Sequence, residues 1–278
     1  MCLAVLAWQT HPEYPLVVLA NRDEFYARRT RPASWWGQSV SLLAGRDEEA
    51  GGTWFGINRR GRFALLTNVR APAERNPHAP SRGVLVVSAL QSNTGIAAWL
   101  DGNAERARVF NGFNLLLGDL RPATARSPAG ELHYLSNRLD DPAQRLAPGI
   151  YGLSNAFLDT PWPKVTRAVG RFAVALANKI DTETMLALMA DRTQARDREL
   201  PSTGIPIDWE RALSAIQIRA NGYGTRATTM LTVRADGLVT YLERSYRTEP
   251  PHEPTDRRFE FMLGRASDTA GFRTRDQR

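Results

Sequence analysis

The sequence predicts an α+β protein, a four-layer αββα sandwich with mainly antiparallel sheets. Three observations carry this reading. Several short runs are apolar at every position, without the polar alternation of a half-solvated sheet, so their strands are buried on both faces. The elements come in the order strands, helices, strands, helices, strands, with the N-terminal strand expected near the centre of its sheet. Antiparallel strands covered on both sides need a second sheet on one face and helices on the other.

The first two strands are 3–8 and 16–20, separated by Thr10, His11 and Pro12. A turn centred near Pro12 makes residue numbers across the pair sum to about 24. That register places Cys2 opposite Arg22 and beside Asn21 and Asp23. Residues 63–69 and 113–117 repeat the fully apolar character of buried strands. Ser81 is expected to cap a helix carrying Val84, Leu85, Ser88 and Ala89, followed by a short one over 96–100. Pro163 suits the first turn of a helix, and Val165, Val169, Phe172 and Leu176 follow at the 3.6-residue period. Another helix is expected to start at Asp181. Residues 194–207, punctuated by Pro201, Gly204 and Pro206, read as a long connection. Strands return at 227–234 and 238–245 around the hairpin signal Asp236-Gly237. The expected organisation is one domain over 1–250 and a C-terminal extension over 251–278 with a frayed tail.

At 278 residues and 42% hydrophobic, the chain can bury a full core. It shows no apolar run long enough for a membrane span and no secretory leader, so a cytoplasmic protein is expected. The net charge of +7 raises the question of a nucleic-acid partner. However, only Lys164 and Lys179 are lysines, and the arginines are scattered singly or in pairs. That is better read as a GC-rich coding bias than as a binding surface, so no nucleic acid is expected. The densest basic stretch is Arg257, Arg258, Arg265, Arg273, Arg275 and Arg278. His11, His78, His133 and His252 lack metal-ligand spacing, and no metal is expected.

Cys2 is the only cysteine, which excludes an intrachain disulfide. Directly after Met1, it becomes a free N-terminal thiol once the methionine is removed. Such a residue carries both a nucleophile and a base, because an α-amino group titrates around ~7.7–8. The alternative is a small apolar residue opening a buried strand.

Asn21-Arg22-Asp23-Glu24 ends the second strand. It is followed by Gly45-Arg46-Asp47, Gly51-Gly52-Thr53-Trp54-Phe55-Gly56 and the segment Gly61 to Asn68. With Ser81-Arg82-Gly83, Gly112 to Asp119, Tyr151 to Ala156, Thr160-Pro161-Trp162-Pro163-Lys164 and Tyr223 to Thr229, these phrases reach about Tyr246. In them the chain resembles the NRDE family, named for the tetrapeptide, whose eukaryotic members are transport and Golgi organisation proteins. More distantly it is similar to N-terminal-cysteine amidohydrolases of the Ntn-hydrolase architecture.

That resemblance implies Cys2 as nucleophile, with Arg22 and Asp23 holding the thiolate and amine, and Glu24 as the alternative acid. It implies Asn68 and Asn155 as oxyanion donors and Arg226 as an orienting residue. Asn21, Glu24 and Trp54 are candidate substrate-binding residues. Each also has a structural reading: a polar network pinning strand ends, turn-forming asparagines, a salt bridge from Arg226 to Asp23 or Glu24, and a core tryptophan. Two functions follow from the resemblance. One is hydrolysis of a non-peptide linear amide, needing no cofactor. The other is non-catalytic binding and trafficking of haem or of an acyl-CoA or lipid, with haem as the admissible ligand. Either partner is a small molecule, and the oligomeric state is not legible.

Overall fold

In the computed structural model, residues 2–37, 41–120, 130–178, 180–246 and 253–264 are described. Met1, Lys179, His252, Arg265, Arg273, Arg275 and Arg278 lie outside them. The first strands are β1 (Cys2–Trp8), β2 (Leu16–Phe25), β3 (Thr30–Trp36), β4 (Leu42–Asp47), β5 (Phe55–Asn58) and β6 (Arg62–Asn68). Helices α1 (Gly83–Gln91) and α2 (Ile96–Ala107) lead to β7 (Phe113–Asp119), β8 (Glu131–Ser136), β9 (Ala143–Arg145) and β10 (Gly149–Leu153). Helices α3 (Pro163–Ala177), α4 (Thr182–Met189) and α5 (Ile207–Ala212) precede β11 (Arg219–Ala220), β12 (Tyr223–Val233), β13 (Leu238–Ser245) and β14 (Thr255–Met262).

The strands form two antiparallel sheets. One runs β10-β1-β2-β12-β13-β14, with β11 beside β12, and the other takes β3 to β9 in chain order. Three apolar clusters define the layers between them. Ala4, Leu6, Val18 and Leu231 from the first sheet meet Phe55, Phe63 and Leu116 from the second. Leu66, Leu115 and Leu117 on the outer face of the second sheet pack on Leu85, Ala89 and Trp99 of α1 and α2. Leu3, Val5, Val17 and Leu19 on the outer face of the first pack on Phe172, Leu176 and Met185 of α3 and α4. The result is an αββα sandwich, as the fully apolar strands require.

The β1–β2 register pairs Cys2 with Arg22 and Leu3 with Asn21, as the hairpin predicts. Asp181 caps α4 by accepting from the Thr184 N–H at 2.9 Å, which satisfies one orphan donor of the first turn. Pro163 opens α3, whose N-cap is Trp162.

Three expectations need correction. Helix α1 begins at Gly83 without a side-chain cap, so Ser81 does not cap it. Its start is set by close packing: a Cβ on Gly52 would lie 2.5 Å from the Gly83 carbonyl carbon, and the Thr53 N–H donates to the Gly83 carbonyl at 3.3 Å. Helix α2 runs on to Ala107, because Ala107 packs back onto the cluster holding Phe110 and Phe113. Residues 255–262 are not a frayed tail but a strand paired along its length with β13. Alternation explains it, because Phe259 and Phe261 reach the core between the sheets while Arg258 and Glu260 fall on the opposite face. Strand β14 therefore continues the first sheet.

Since two backbones meet at Gly52 and Gly83, Gly52→Ala should destabilise the fold by about 1–3 kcal/mol. Urea denaturation checks this, and an unchanged midpoint would refute the packing constraint.

Candidate functional site

Successive strands of an antiparallel sheet alternate direction, so the start of β1, the end of β2 and the start of β12 share one end of the sandwich. The end of β13, the start of β14 and the end of β10 join them there. Side chains alternate faces along each strand. In β1 and β2, Ala4, Leu6, Val18 and Ala20 lie between the sheets, whereas Leu3, Val5, Val17 and Leu19 face the helices. The same parity sends Cys2 and Arg22 between the sheets, and Asn21 and Asp23 toward α3 and α4.

A bulge in β12 alters this parity once. Thr225 pairs with Asp23 and Ala227 with Arg22, so Arg226 is the extra residue. Thr225 and Thr228 thereby both face the helices. Their hydroxyls donate to Asp23 Oδ1 and Asn21 Oδ1, each at 2.6 Å. Arg226 and Ala227 both line the inter-sheet side.

On that side lies a cavity of about 400 Å³, bounded by Arg22, Trp54, Arg226, Glu243, Tyr246 and Arg257 among others. The Arg22 guanidinium sits 4.2 Å over the Trp54 ring and donates through Nη1 to Thr30 Oγ1 at 2.9 Å. Gly45 makes room for that ring, since a Cβ there would come within 2.5 Å of Trp54. Arg226 Nη1 donates to the carbonyls of Phe25, Tyr26 and Arg28 at 3.0–3.1 Å. It thus holds the turn after β2, and the expected salt bridge to Asp23 or Glu24 is not what anchors it.

Asn21 and Glu24 are not brought to the cavity. Asn21 donates its amide to the Met189 and Ile216 carbonyls, both at 2.9 Å, tying β2 to the end of α4. Glu24 pairs with Arg28 at 3.8 Å beside the turn. Of the two acids, Asp23 is the one buried against Thr225 beneath the start of β1.

Asn155 and Asn68 meet across the two sheets. Asn155 Nδ2 donates to the Asn68 carbonyl at 2.9 Å, and the Arg70 N–H donates to the Asn155 carbonyl at 2.7 Å. Ser154, which the sequence reading did not single out, donates from Oγ to the Cys2 carbonyl at 3.0 Å and lies 3.2 Å from Asn155 Oδ1. A continuous polar chain therefore runs from Cys2 to the end of β6. It joins Cys2, Asn155 and Asn68; Asp23 lies beside Cys2 on the helix side of β2, while Arg22, Arg226 and Trp54 stand at the cavity.

The family model for Transport and Golgi organisation 2 matches residues 1–248. The human Transport and Golgi organization protein 2 homolog is 34% identical over 279 residues, covering 95% of this chain and 99% of that protein. The chain belongs to the Transport and Golgi organisation 2 family. The Drosophila melanogaster Transport and Golgi organization protein 2 is 25% identical over 272 residues, 91% of this chain and 94% of its own. Among solved structures, a Caenorhabditis elegans N-acylethanolamine-hydrolyzing acid amidase ortholog aligns with a TM-score of 0.47 at 10% identity, over 83% of this chain and 92% of that one. A mutant of conjugated bile acid hydrolase from Clostridium perfringens aligns with a TM-score of 0.39 at 8% identity, over 98% and 100%. No helix among the described residues of this Transport and Golgi organisation 2 family member is long and apolar enough to cross a membrane.

Electrostatics on the helix side add a residue that the sequence reading did not place in the site. Lys164, in the first turn of α3, is buried, and its Nζ has no hydrogen-bond partner among the described residues. Burial lowers it to about 8, against an opposing pull from Asp23 and a further lowering by Arg70. Asp23 is raised by its own burial, with Lys164 the chief opposing influence. Nearby, Arg70 and Glu210 form a buried ion pair at 2.6 Å, and Arg70 sits 4.7 Å over the Trp162 ring. Burial also raises the Cys2 thiol, while the Asp23 backbone N–H and Arg22 favour the thiolate. The signal for Lys164 was in the composition: in a chain that uses arginine almost everywhere, a lysine marks a position where a guanidinium does not suit.

A lysine whose folded value lies below its unfolded 10.5 binds fewer protons folded than unfolded between pH 8 and 10.5. Stability therefore rises with pH through that window. Wild type should gain on the order of 2–3 kcal/mol relative to Lys164→Met across it. Chemical denaturation of both proteins at pH 7.5, 9 and 10.5 measures the difference, and parallel pH dependences would refute it.

Proposed function

We propose that this protein is a cysteine amidohydrolase acting on a linear, non-peptide acyl amide, with Cys2 as the nucleophile. The observation that carries the reading is the Cys2–Arg22 cross-strand pair, facing between the sheets at the end where the cavity lies. A thiol needs a base when burial holds it protonated, and an N-terminal cysteine supplies one on the same residue. Removal of Met1 is a chemical requirement of this route.

The amine takes the Sγ proton and Arg22 steadies the thiolate. Sγ then attacks the amide carbonyl carbon, and the C–N bond breaks as the ammonium returns its proton to the departing amine nitrogen. A thioester remains on Cys2. Water attacks it, giving one proton to the amine. The C–S bond breaks, the carboxylic acid leaves, and Sγ recovers the proton. Asp23 holds the ammonium from the helix side, with Lys164 behind it. The Asn68 side-chain amide is the candidate donor to the tetrahedral oxyanion. Asn155 acts on it indirectly, because its Nδ2 fixes the Asn68 carbonyl.

Retention without turnover, of haem or of an acyl-CoA, is the competing reading. Tyr246 is the one cavity-lining side chain, among the described residues, of a type that ligates haem iron. No observation on the cavity favours that reading over hydrolysis.

An intact mass lacking Met1 and turnover on a panel of N-acyl amides of graded chain length are expected. Cys2→Ala should abolish that turnover with the fold retained. Asn68→Ala should lower kcat by about 10²–10³. Full turnover by protein that retains Met1, or by Cys2→Ala, would overturn the assignment.

A further inference from the structure

The cavity beside Arg22 has a charge pattern that hydrolysis alone does not use. Three guanidinium groups line it, from Arg22 on β2, Arg226 at the β12 bulge and Arg257 on β14. Among the described residues each is anchored to the wall through Nη1. Arg22 reaches Thr30, Arg226 reaches three carbonyls, and Arg257 reaches the Ala33 carbonyl at 3.2 Å. A guanidinium carries five N–H donors, so Nε and Nη2 of each keep theirs for an occupant.

The acids do not balance this charge. Asp256 is taken by Arg244, which donates from Nε and Nη2 to its two carboxyl oxygens at 2.8 and 2.7 Å. That leaves Glu243, a buried side chain that accepts the Ala33 N–H at 2.7 Å through Oε1. Its Oε2 has no partner among the described residues, although the side chain lines the cavity. The groups facing Glu243 are Arg22 from β2, Arg257 from β14, Ser245 and Tyr241 from its own strand and the Ala33 N–H from β3. Burial raises Glu243 above the usual carboxylate range. A carboxyl that takes up a proton when an anion binds can donate one hydrogen bond to an anionic oxygen. Trp54, Pro32 and Ala227 supply apolar wall, and about 400 Å³ lies within the roughly 300–1,000 Å³ of small-molecule sites.

We propose that this cavity binds a carboxylate carried on an apolar chain, with the carboxylate held among Arg22, Arg226 and Arg257 and Glu243 closing the polar end. The inference rests on the amidohydrolase reading only in making this cavity the place where the substrate's charged end lies. Binding itself needs no chemistry at Cys2. A doubly charged phosphate is disfavoured, because it would meet the Glu243 carboxyl without a second proton to offer.

Isothermal titration with octanoate, octanamide and octyl phosphate tests it, on wild type and on Cys2→Ala. Octanoate should bind saturably to both proteins, at least about tenfold more tightly than octanamide, as expected for charge-assisted hydrogen bonds. Arg257→Gln, at an exposed strand position, should weaken octanoate at least about tenfold and leave octanamide unchanged. Glu243→Gln, which keeps a donor in the same place, should hold octanoate affinity within about twofold. Equal affinity for octanoate and octanamide, indifference to Arg257→Gln, or no saturable octanoate binding would overturn the proposal. Tighter binding of octyl phosphate than of octanoate would overturn the carboxylate assignment. Binding by Cys2→Ala without turnover in wild type would sink the hydrolase and leave the carboxylate site standing.

Discussion

The antiparallel ladder between β1 and β2 decides what every polar group at that end of the sandwich can reach. Because Cys2 is paired with Arg22 and not with its neighbours, thiol and guanidinium share the inter-sheet face. Asn21 and Asp23 turn the other way. A slip of one residue would exchange the two sets, placing an acid and an amide beside the cavity and an arginine under the helices. The apolar residues of β2 prevent it, since the same slip would turn Val18 and Ala20 out of one core and Val17 and Leu19 out of another. Hydrophobic burial along two strands thus sets polar geometry at their ends.

Two networks separated by one sheet follow from that division. Between the sheets, arginines and Trp54 surround an open cavity with a buried acid, Glu243, whose Oε2 has no partner among the described residues. Beneath the sheet, Asp23, Lys164, Arg70 and Glu210 form a buried ionic cluster, in which desolvation lowers the lysine and raises the aspartate. Cys2 stands at the boundary, its side chain on one side and its carbonyl tied through Ser154 to Asn155. The open face and the buried face of one sheet therefore give the first residues of β1 two different surroundings.

Much of this was legible in the sequence, for reasons that differ from residue to residue. The β1–β2 register could be read because two apolar runs flank a proline turn, which leaves few ways to pair them. The layers could be read because strands without polar alternation need cover on both faces. The fate of Asn21 could not, since its partners are carbonyls of residues 189 and 216, far away in the chain. Arg226 was recognised by position but not by task, because three carbonyls of one turn leave no trace in residue types. Strand β14 was hidden by its charges: three of its first four residues are charged and suggest a solvated tail, and only the phenylalanine alternation argues otherwise.

The bulge at Arg226 makes the backbone path of β12 as binding a constraint as its composition. Thr225 and Thr228 are three apart yet share a face, because the extra residue resets the alternation between them. Upstream of the bulge the odd-numbered side chains look toward the helices, and downstream they look toward the other sheet. A regular strand that kept Arg226 in the ladder would put the two hydroxyls on opposite sides of the sheet, with every chemical group of the chain still present. The placement of Thr225 and Thr228 thus depends on one residue staying out of the ladder, a constraint of backbone path that residue types alone do not carry.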